Sequence, residues 1–416
     1  MTYFAPVGMI SVMKLIGKTV ILGVSGGIAA YKSAYLARLF VKGGAKVYVV
    51  MTPSAEKLVA AATFQALTGN HVYTETFDPV PANAMGHIEL AQAADLLVIA
   101  PATANTIAKF ACGIADNLLT TLSIATKAPI LVCPAMNVNM WRNEVTQENL
   151  KKLLKRKQFR IVEPEEGELA CGDEGAGRMA EPERIFASAK RILSPNDLAG
   201  VRILVTAGAT REPIDIARFI SNYSTGKMGY LIAEEAFCRG AQVTLVSGAT
   251  QFPPPLCNSF IAVESAKEMF EAVKSESGKS DVIIMSAAVS DFTPAKPHKG
   301  KLKKDEGVPE IKLAPTQDIL KWLSENAKQK IRVGFAAEHE RVIEFGLDKL
   351  KRKKCHILVA NEVGKPCTGF ASDTDRAAIL IEGKPPPPLK LYSKADLAKE
   401  LLNLIAEIAA KKDKKK

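Results

Sequence analysis

Four groups of side chains in this chain have the types and spacing to do chemistry. The first is a thiol. Cys171 lies in Leu169-Ala-Cys-Gly-Asp-Glu-Gly-Ala-Gly-Arg-Met179, a glycine-rich stretch that cannot bury a cysteine in a rigid core. A thiol on a mobile loop beside Arg178 reads as a reactive group on a lid. The second is His87, within Ala84-Met-Gly-His-Ile-Glu-Leu90. A lone histidine is either a proton carrier or a packed or solvated side chain. The third is Pro134-Ala-Met-Asn-Val-Asn-Met140, which crowds two amides and two methionines into one turn. A plain β-turn with Asx capping is the competing reading.

The fourth group is spread over the second half. It comprises Ser286-Ala-Ala-Val-Ser-Asp-Phe-Thr-Pro294, Lys301-Leu-Lys-Lys304, Pro315-Thr-Gln-Asp-Ile-Leu320, Gly334-Phe-Ala-Ala-Glu338 and Lys349-Leu-Lys-Arg-Lys353. A strand-end acid, an aromatic at another strand end and lysines four residues apart suit a base, a ribose and phosphates. Lysines so spaced also describe a solvated helix face. Between 218 and 229 runs Arg-Phe-Ile-Ser-Asn-Tyr-Ser-Thr-Gly-Lys-Met-Gly. It contains neither GxGxxG nor GxxxxGK[ST], so neither a dinucleotide fingerprint nor a P-loop is supported. A serine-capped helix start is the simpler account.

These groups need strands that end in small residues and feed helices. Thr19-Val-Ile-Leu-Gly-Val-Ser-Gly-Gly-Ile-Ala-Ala-Tyr-Lys32 has that form, and near Val201 the chain starts over with Val-Arg-Ile-Leu-Val-Thr-Ala-Gly-Ala-Thr210. Such a turn lets backbone N–H groups meet a phosphate at the positive end of a helix dipole. Apolar β-rich runs at 19–24, 46–52, 95–100, 129–133 and 159–163 are answered by 201–206, 242–247, 281–286, 331–335 and 356–360. Helical segments, including 29–42 and 54–67, lie between them. Alternating strands and helices indicate two α/β, Rossmann-like, doubly wound domains with mainly parallel sheets. Ligands then bind beyond the carboxyl ends of strands. The seam falls near Ser194-Pro-Asn-Asp197, dividing a domain over 15–194 from one over 195–410. Pro385–Pro388 ahead of Leu389 suggests an edge hairpin rather than another wound unit.

A length of 416 residues favours two domains. The 47% hydrophobic and 24% charged composition is that of a globular chain. No apolar run reaches the roughly 18 residues of a membrane span, and residues 1–14 read as a dispensable leader without a basic n-region. Seven cysteines without CxxC point to a reducing cytoplasm. Part of the +11 net charge sits in the tail 411–416, expected to be disordered. The other lysine groups lack aromatic interleaving, so nucleic acid is disfavoured against a small polyphosphate.

Taken together, Ser25-Gly-Gly-Ile-Ala-Ala-Tyr-Lys32, Pro101-Ala-Thr-Ala-Asn105, Gly86-His-Ile88, Pro134-Ala-Met-Asn137 and Ala170-Cys-Gly172 resemble the flavin-dependent cysteine decarboxylases. The likeness runs over about 15–190 and is nearest to those acting on phosphopantothenoylcysteine. It implies an FMN-binding domain in which Gly26, Gly27, Ile28, Thr52, Thr103 and Asn105 contact the flavin. By the same resemblance Cys171 is the proton donor, His87 takes part in the oxidative half-reaction, and Asn137 holds the substrate carboxylate with Met136 and Met140 nearby. FMN supplies the electron sink without which loss of carbon dioxide leaves an unstable carbanion. Trimers are implied, with each flavin near a subunit boundary.

From about 196 to 408 the chain resembles the CTP-using phosphopantothenate–cysteine ligases. That implies contacts to the cytidine part from Met285, Ser286, Ala287, Asp291, Pro315, Thr316, Gln317, Asp318 and Phe335. Lys301, Lys349 and Lys353 would neutralise the triphosphate, and Asn222 would bond the acyl-cytidylate with Arg218 nearby. A carboxylate does not react with an amine at neutral pH, so activation by CTP, with Mg²⁺ or Mn²⁺, is expected. The metal-binding residues are unassigned. Tyr223, Thr225, Ala217 and Ser290 depart from the family's usual residues. The implied partners are 4′-phosphopantothenate, L-cysteine and CTP. The implied assembly is a homo-oligomer of decarboxylase trimers joined through ligase dimers. A non-catalytic flavin-binding regulatory subunit of the same fold is the alternative.

Overall fold

A computed structural model describes residues 15–75, 85–168, 174–303, 310–365, 369 and 372–413. The chain forms two compact units, one over 13–194 and the other carrying the chain from Pro195 onward.

In the first unit β1 (Thr19–Val24), β2 (Lys46–Met51), β3 (Val72–Tyr73), β4 (Leu96–Ala102), β5 (Ile130–Pro134) and β6 (Phe159–Ile161) form a parallel sheet. Its order is β3-β2-β1-β4-β5-β6. Their continuous apolar runs follow from burial on both faces. Val20, Leu22, Val49, Val98 and Leu131 enter one core, while Ile21, Val50, Leu97, Ile99 and Val132 enter the other. Each such side chain, fully buried, contributes about 1.5–3 kcal/mol. Helices Ala30–Lys42 and Pro182–Leu193 cover the first face, and Ala104–Cys112, Leu118–Ala125 and Glu144–Leu154 the second. A hairpin, β7 (Glu165–Glu168) and β8 (Glu174–Arg178), follows the sheet.

The second unit repeats the order. Strands β9 (Arg202–Ala207), β12 (Gln242–Ser247), β13 (Ser259–Ala262), β14 (Val282–Met285), β17 (Ile331–Glu338) and β18 (Ile357–Glu362) run parallel as β13-β12-β9-β14-β17-β18. Two antiparallel strands, β19 (Thr374–Ile381) and β20 (Lys390–Ser393), extend that edge, as the proline run implies. Small hairpins β10 (Arg211–Pro213) with β11 (Phe219–Ser221), and β15 (Phe292–Pro294) with β16 (Leu313–Pro315), stand beside it.

Two expectations change. The single helix over 54–67 is two, Pro53–Glu56 and Ala61–Thr68, because the intervening Val59 turns back onto the core. Six parallel strands, not five, correspond between the sheets. The additions, β3 and β13, are short edge strands: β3 has two residues, and β13 is largely exposed, so neither carries a clear apolar pattern.

Candidate active sites

In the first unit, β1 and β4 end side by side and are tied by one buried hydroxyl. Ser25 Oγ donates to the Pro101 carbonyl at 2.7 Å and accepts from the Thr103 N–H at 3.0 Å. Thr103 in turn caps helix Ala104–Cys112 through the Thr106 N–H. Beyond Ser25 the chain turns at Gly26 and Gly27 into helix Ala30–Lys42, whose start has no side-chain cap. Gly26 is required by close approach, since a Cβ there would stand 2.3 Å from Ser54 Cβ. The end of β5 is pinned from two sides. Ala135 N–H donates to the Ala102 carbonyl and Met136 N–H to the Gly177 carbonyl of β8. Asn137 Oδ1 accepts from the Asn139 N–H at 2.8 Å.

These ends enclose a cavity of about 660 Å³. Gly26, Gly27, Ile28 and Thr103 form one side, and Met136, Asn137 and Met140 another. Unanticipated wall residues are Tyr31, Lys32 and Met179. Lys32 donates to Glu181 at 2.9 Å, and Arg178, also on the wall, meets the same oxygen at 2.6 Å. Burial opposes ionisation of Glu181, yet the Lys32 and Arg178 cations outweigh it and hold the carboxyl below its usual range. No local motif announces a pair 149 positions apart.

Thr52, Asn105 and His87 are not on that wall. Thr52 follows β2, and its Oγ1 is buried with no hydrogen-bond partner among the described residues. An orphaned hydroxyl beside a glycine turn and an uncapped helix start fits an oxygen-rich group such as a phosphate. Asn105 is exposed on the first turn of its helix. His87 opens helix His87–Ala93 and is half-buried, with Gly86 N–H bonded to Glu89 and the Met85 carbonyl held by the Tyr73 hydroxyl at 3.0 Å. Cys171 lies outside the described residues. The hairpin strand after it, β8, supplies Gly177 and Arg178 to the cavity.

In the second unit a cavity of about 320 Å³ opens beyond β14 and β17. It brings together Met285, Ala287, Asp291, Thr316, Gln317, Asp318, Phe335, Lys349 and Lys353, with Ser290 between Ala287 and Asp291. Pairing of β15 with β16 explains the join: Thr316 N–H donates to the Asp291 carbonyl, and Thr316 Oγ1 to the Ser290 carbonyl at 2.6 Å. Asp318 caps helix Ile319–Asn326 through the Lys321 N–H at 2.9 Å and forms an ion pair with Lys353. Burial disfavours the charge on Asp318, but the Lys353 ammonium and the Lys321 N–H outweigh it and lower its pKa. Burial pushes the Lys349 ammonium down from 10.5, while Glu338 pulls the other way.

Ser286, Pro315 and Lys301 are off this wall. Ser286 Oγ donates to the Thr206 carbonyl at 2.5 Å, and Pro315 ends β16. Lys301 is exposed. Asn222 Nδ2 donates to the Ala288 carbonyl at 3.0 Å, one residue past Ala287. Arg218 pairs with Asp215. The turn at Gly208, expected to face a phosphate, does not line this cavity. Its φ of +79° and a would-be Cβ 2.7 Å from the Ala249 carbonyl show backbone packed on backbone. Among the described residues no three His, Cys, Asp or Glu side chains gather to hold a metal ion.

Residues 11–194 match the family described as Flavoprotein, and 198–409 match the DNA/pantothenate metabolism flavoprotein C-terminal domain. The chain is 45% identical over 394 residues to the coenzyme A biosynthesis bifunctional protein CoaBC of Vibrio vulnificus, covering 94% of this chain and 98% of that protein. It is 43% identical over 396 residues to the protein of the same name from Bacillus subtilis, covering 94% and 97%. Among solved structures, the FMN binding protein AtHal3 is 36% identical, covering 42% of this chain and 95% of that one, with a TM-score of 0.37.

Proposed function

The chain belongs to the family of bifunctional coenzyme A biosynthesis proteins, and from that membership we propose how its two cavities divide the work. The second unit joins 4′-phosphopantothenate to L-cysteine with CTP, through an acyl-cytidylate, releasing pyrophosphate and CMP. The first unit decarboxylates the product, phosphopantothenoylcysteine, to 4′-phosphopantetheine with FMN.

The observation that carries this reading is the contrast in lining. The first cavity has a glycine turn and a largely apolar wall, with the unpartnered Thr52 hydroxyl off the wall but beside that turn, which suits a flavin phosphate and a flat ring. Gly26, Gly27 and Thr52 would hold the phosphate, and Thr103 the ring side. FMN, when bound, accepts the electrons that make decarboxylation possible. Asn137 orients the substrate carboxylate and His87 manages a proton in the oxidative half. Cys171 returns a proton at the end.

The second cavity gathers Lys349 and Lys353 with Asp291 and Phe335, a set that suits a nucleoside triphosphate. Lys301 and Arg218 add charge from outside the wall, and Asn222 bonds the activated acyl group. Mg²⁺ arrives with the triphosphate, since this ion is commonly held through substrate phosphates. Ile28 and Tyr31, on the first cavity's wall, are 67% and 63% exposed, which supports a subunit boundary beside the flavin and an assembly of trimers. Seven cysteines without a CxxC favour the reducing cytoplasm as the place of this enzyme, and among the described residues no helix is long and apolar enough to cross a membrane.

The test is to purify the chain, record its visible spectrum and supply phosphopantothenate, cysteine, Mg²⁺ and CTP. The expected result is a flavin spectrum and CTP-dependent pyrophosphate release followed by carbon dioxide. A colourless protein that releases no pyrophosphate refutes the reading. A yellow protein inert in both assays favours the regulatory-subunit alternative.

A further inference from the structure

A carboxylate enclosed without solvent needs donors around it, and Asp215 has five. Its side chain is 0% exposed. Oδ1 accepts from the N–H groups of Ala217 and Arg218, each at 2.8 Å. Oδ2 accepts from Arg218 Nε at 3.0 Å, Arg218 Nη2 at 2.6 Å and the Leu302 N–H at 3.1 Å. Arg218 Nη2 also donates to the Leu302 carbonyl at 2.7 Å. Both main-chain polar groups of Leu302 are therefore taken by one ion pair more than eighty positions away in sequence.

The turn between β10 and β11 needs only the two bonds to Oδ1. The reach to Leu302 is additional, and Leu302 follows Lys301. Arg218 is 49% exposed despite its pairing, and Nη1 has no acceptor among the described residues. Lys301, exposed, has no ion pair there either. One buried anion thus fixes the Arg218 guanidinium and the backbone next to Lys301, and the outer faces of both cations stay open to an anionic ligand.

We propose that Asp215 is a positioning residue for the ligase reaction, holding Arg218 and the backbone at Leu302 so that a fixed Arg218 guanidinium, with Lys301 anchored beside it through its backbone neighbour, faces the acid substrate and CTP. This rests on the ligase reading of the second unit. Asp215 touches neither substrate and acts through its two neighbours. Its carboxyl is held far below the ordinary range, chiefly by the Arg218 guanidinium, so the clamp stays charged through neutral pH.

The experiment uses the full-length chain and CTP-dependent pyrophosphate release. Asp215→Asn keeps shape and removes charge. It is expected to lower kcat/KM for phosphopantothenate by about 10- to 100-fold, the scale of a lost charge-assisted bond. Arg218→Lys cannot span Asp215 and Leu302 as a fork and is expected to lose a similar factor. If Asp215 works through Arg218, the double variant loses no more than the worse single one. Losses that multiply, or a single variant within twofold of wild type, overturn the proposal. Circular dichroism and thermal unfolding identify a misfolded Asp215→Asn chain. In that case Asp215→Glu, which keeps the charge but shifts both oxygens, is put through the same cycle with the same criteria. A wild-type chain that releases no pyrophosphate defeats the ligase reading itself, before any substitution is made.

Discussion

The two sheets share a strand order and place their cavities differently. Strands β1, β2, β3, β4, β5 and β6 correspond by position to β9, β12, β13, β14, β17 and β18. The first cavity lies over β1, β4 and β5, where the order reverses, the expected position for a doubly wound sheet. The second lies over β14 and β17, one strand further on. The cause is local. Gly26 packs against Ser54, but a Cβ on the neighbouring Gly27 would meet nothing nearer than 3.5 Å and Gly27 lines the cavity, whereas Gly208 is covered by the backbone of Gly248 and Ala249. The residues between 209 and 229 return over the switch point, with Asn222 bonded to the Ala288 carbonyl. A shared topology therefore offers a ligand edge, and the loops decide which strand ends stay open.

The comparison breaks most sharply at the two glycines. Gly26→Val drives a branched side chain into Ser54 and closes the turn. Flavin absorbance should fall by more than tenfold in the purified protein, while CTP-dependent pyrophosphate release stays within twofold. Gly208→Ala meets a φ of +79° and a carbonyl at 2.7 Å, so its cost is in folding. A loss of about 1–3 kcal/mol is expected in denaturant unfolding of the second unit, with the flavin spectrum kept. Flavin loss in the second variant alone would reverse the assignment of the turns.

Charge is the next contrast. Lys349 is held below 10.5 by burial, so it loses its proton at a lower pH than an ordinary lysine. Below that folded pKa the ammonium is present and, on the ligase reading, available to the triphosphate; above it that contact is lost. The kcat/KM for CTP should decline on the alkaline side before 10.5, and Lys349→Arg should remove the decline, since a guanidinium stays charged. The sign for stability is opposite. The unfolded chain binds this proton more tightly, so the burial penalty fades as pH rises through the window. Decarboxylation of supplied phosphopantothenoylcysteine should not show the Lys349-dependent limb.

Much of this was open to reading in the residues, for a physical reason. Strands buried on both faces write unbroken apolar runs, so β1, β4, β9 and β14 stand out, while β3 and β13 do not. Lys349 and Lys353 advertise a helix face by spacing, but only the fold turns that face toward Asp318 rather than solvent. The Gly208 turn looked like the Gly26 turn because what covers it, Gly248 and Ala249, lies forty positions away. Lys32 belonged to a recognisable motif, yet its partner Glu181 could be found only in three dimensions. Local chemistry is written locally; which strand end stays open is not.

The smallest expected effect tests a group beside the first cavity's glycine turn but off its wall. Thr52 Oγ1 is buried without a hydrogen-bond partner among the described residues, an arrangement that costs roughly 1–3 kcal/mol for a polar group left unmet. Thr52→Val is nearly the same shape and removes the hydroxyl. Without flavin it should be as stable as wild type or slightly more so, because an unmet group has been taken away. With flavin the order should reverse, since wild type recovers a bond to a phosphate oxygen and the variant does not. FMN affinity should fall about three- to tenfold, and affinity for riboflavin, which has no phosphate, should change less. Equal losses for FMN and riboflavin would place Thr52 against the ring instead, and the first cavity would then differ from the second in its lining but not in where it holds its phosphate.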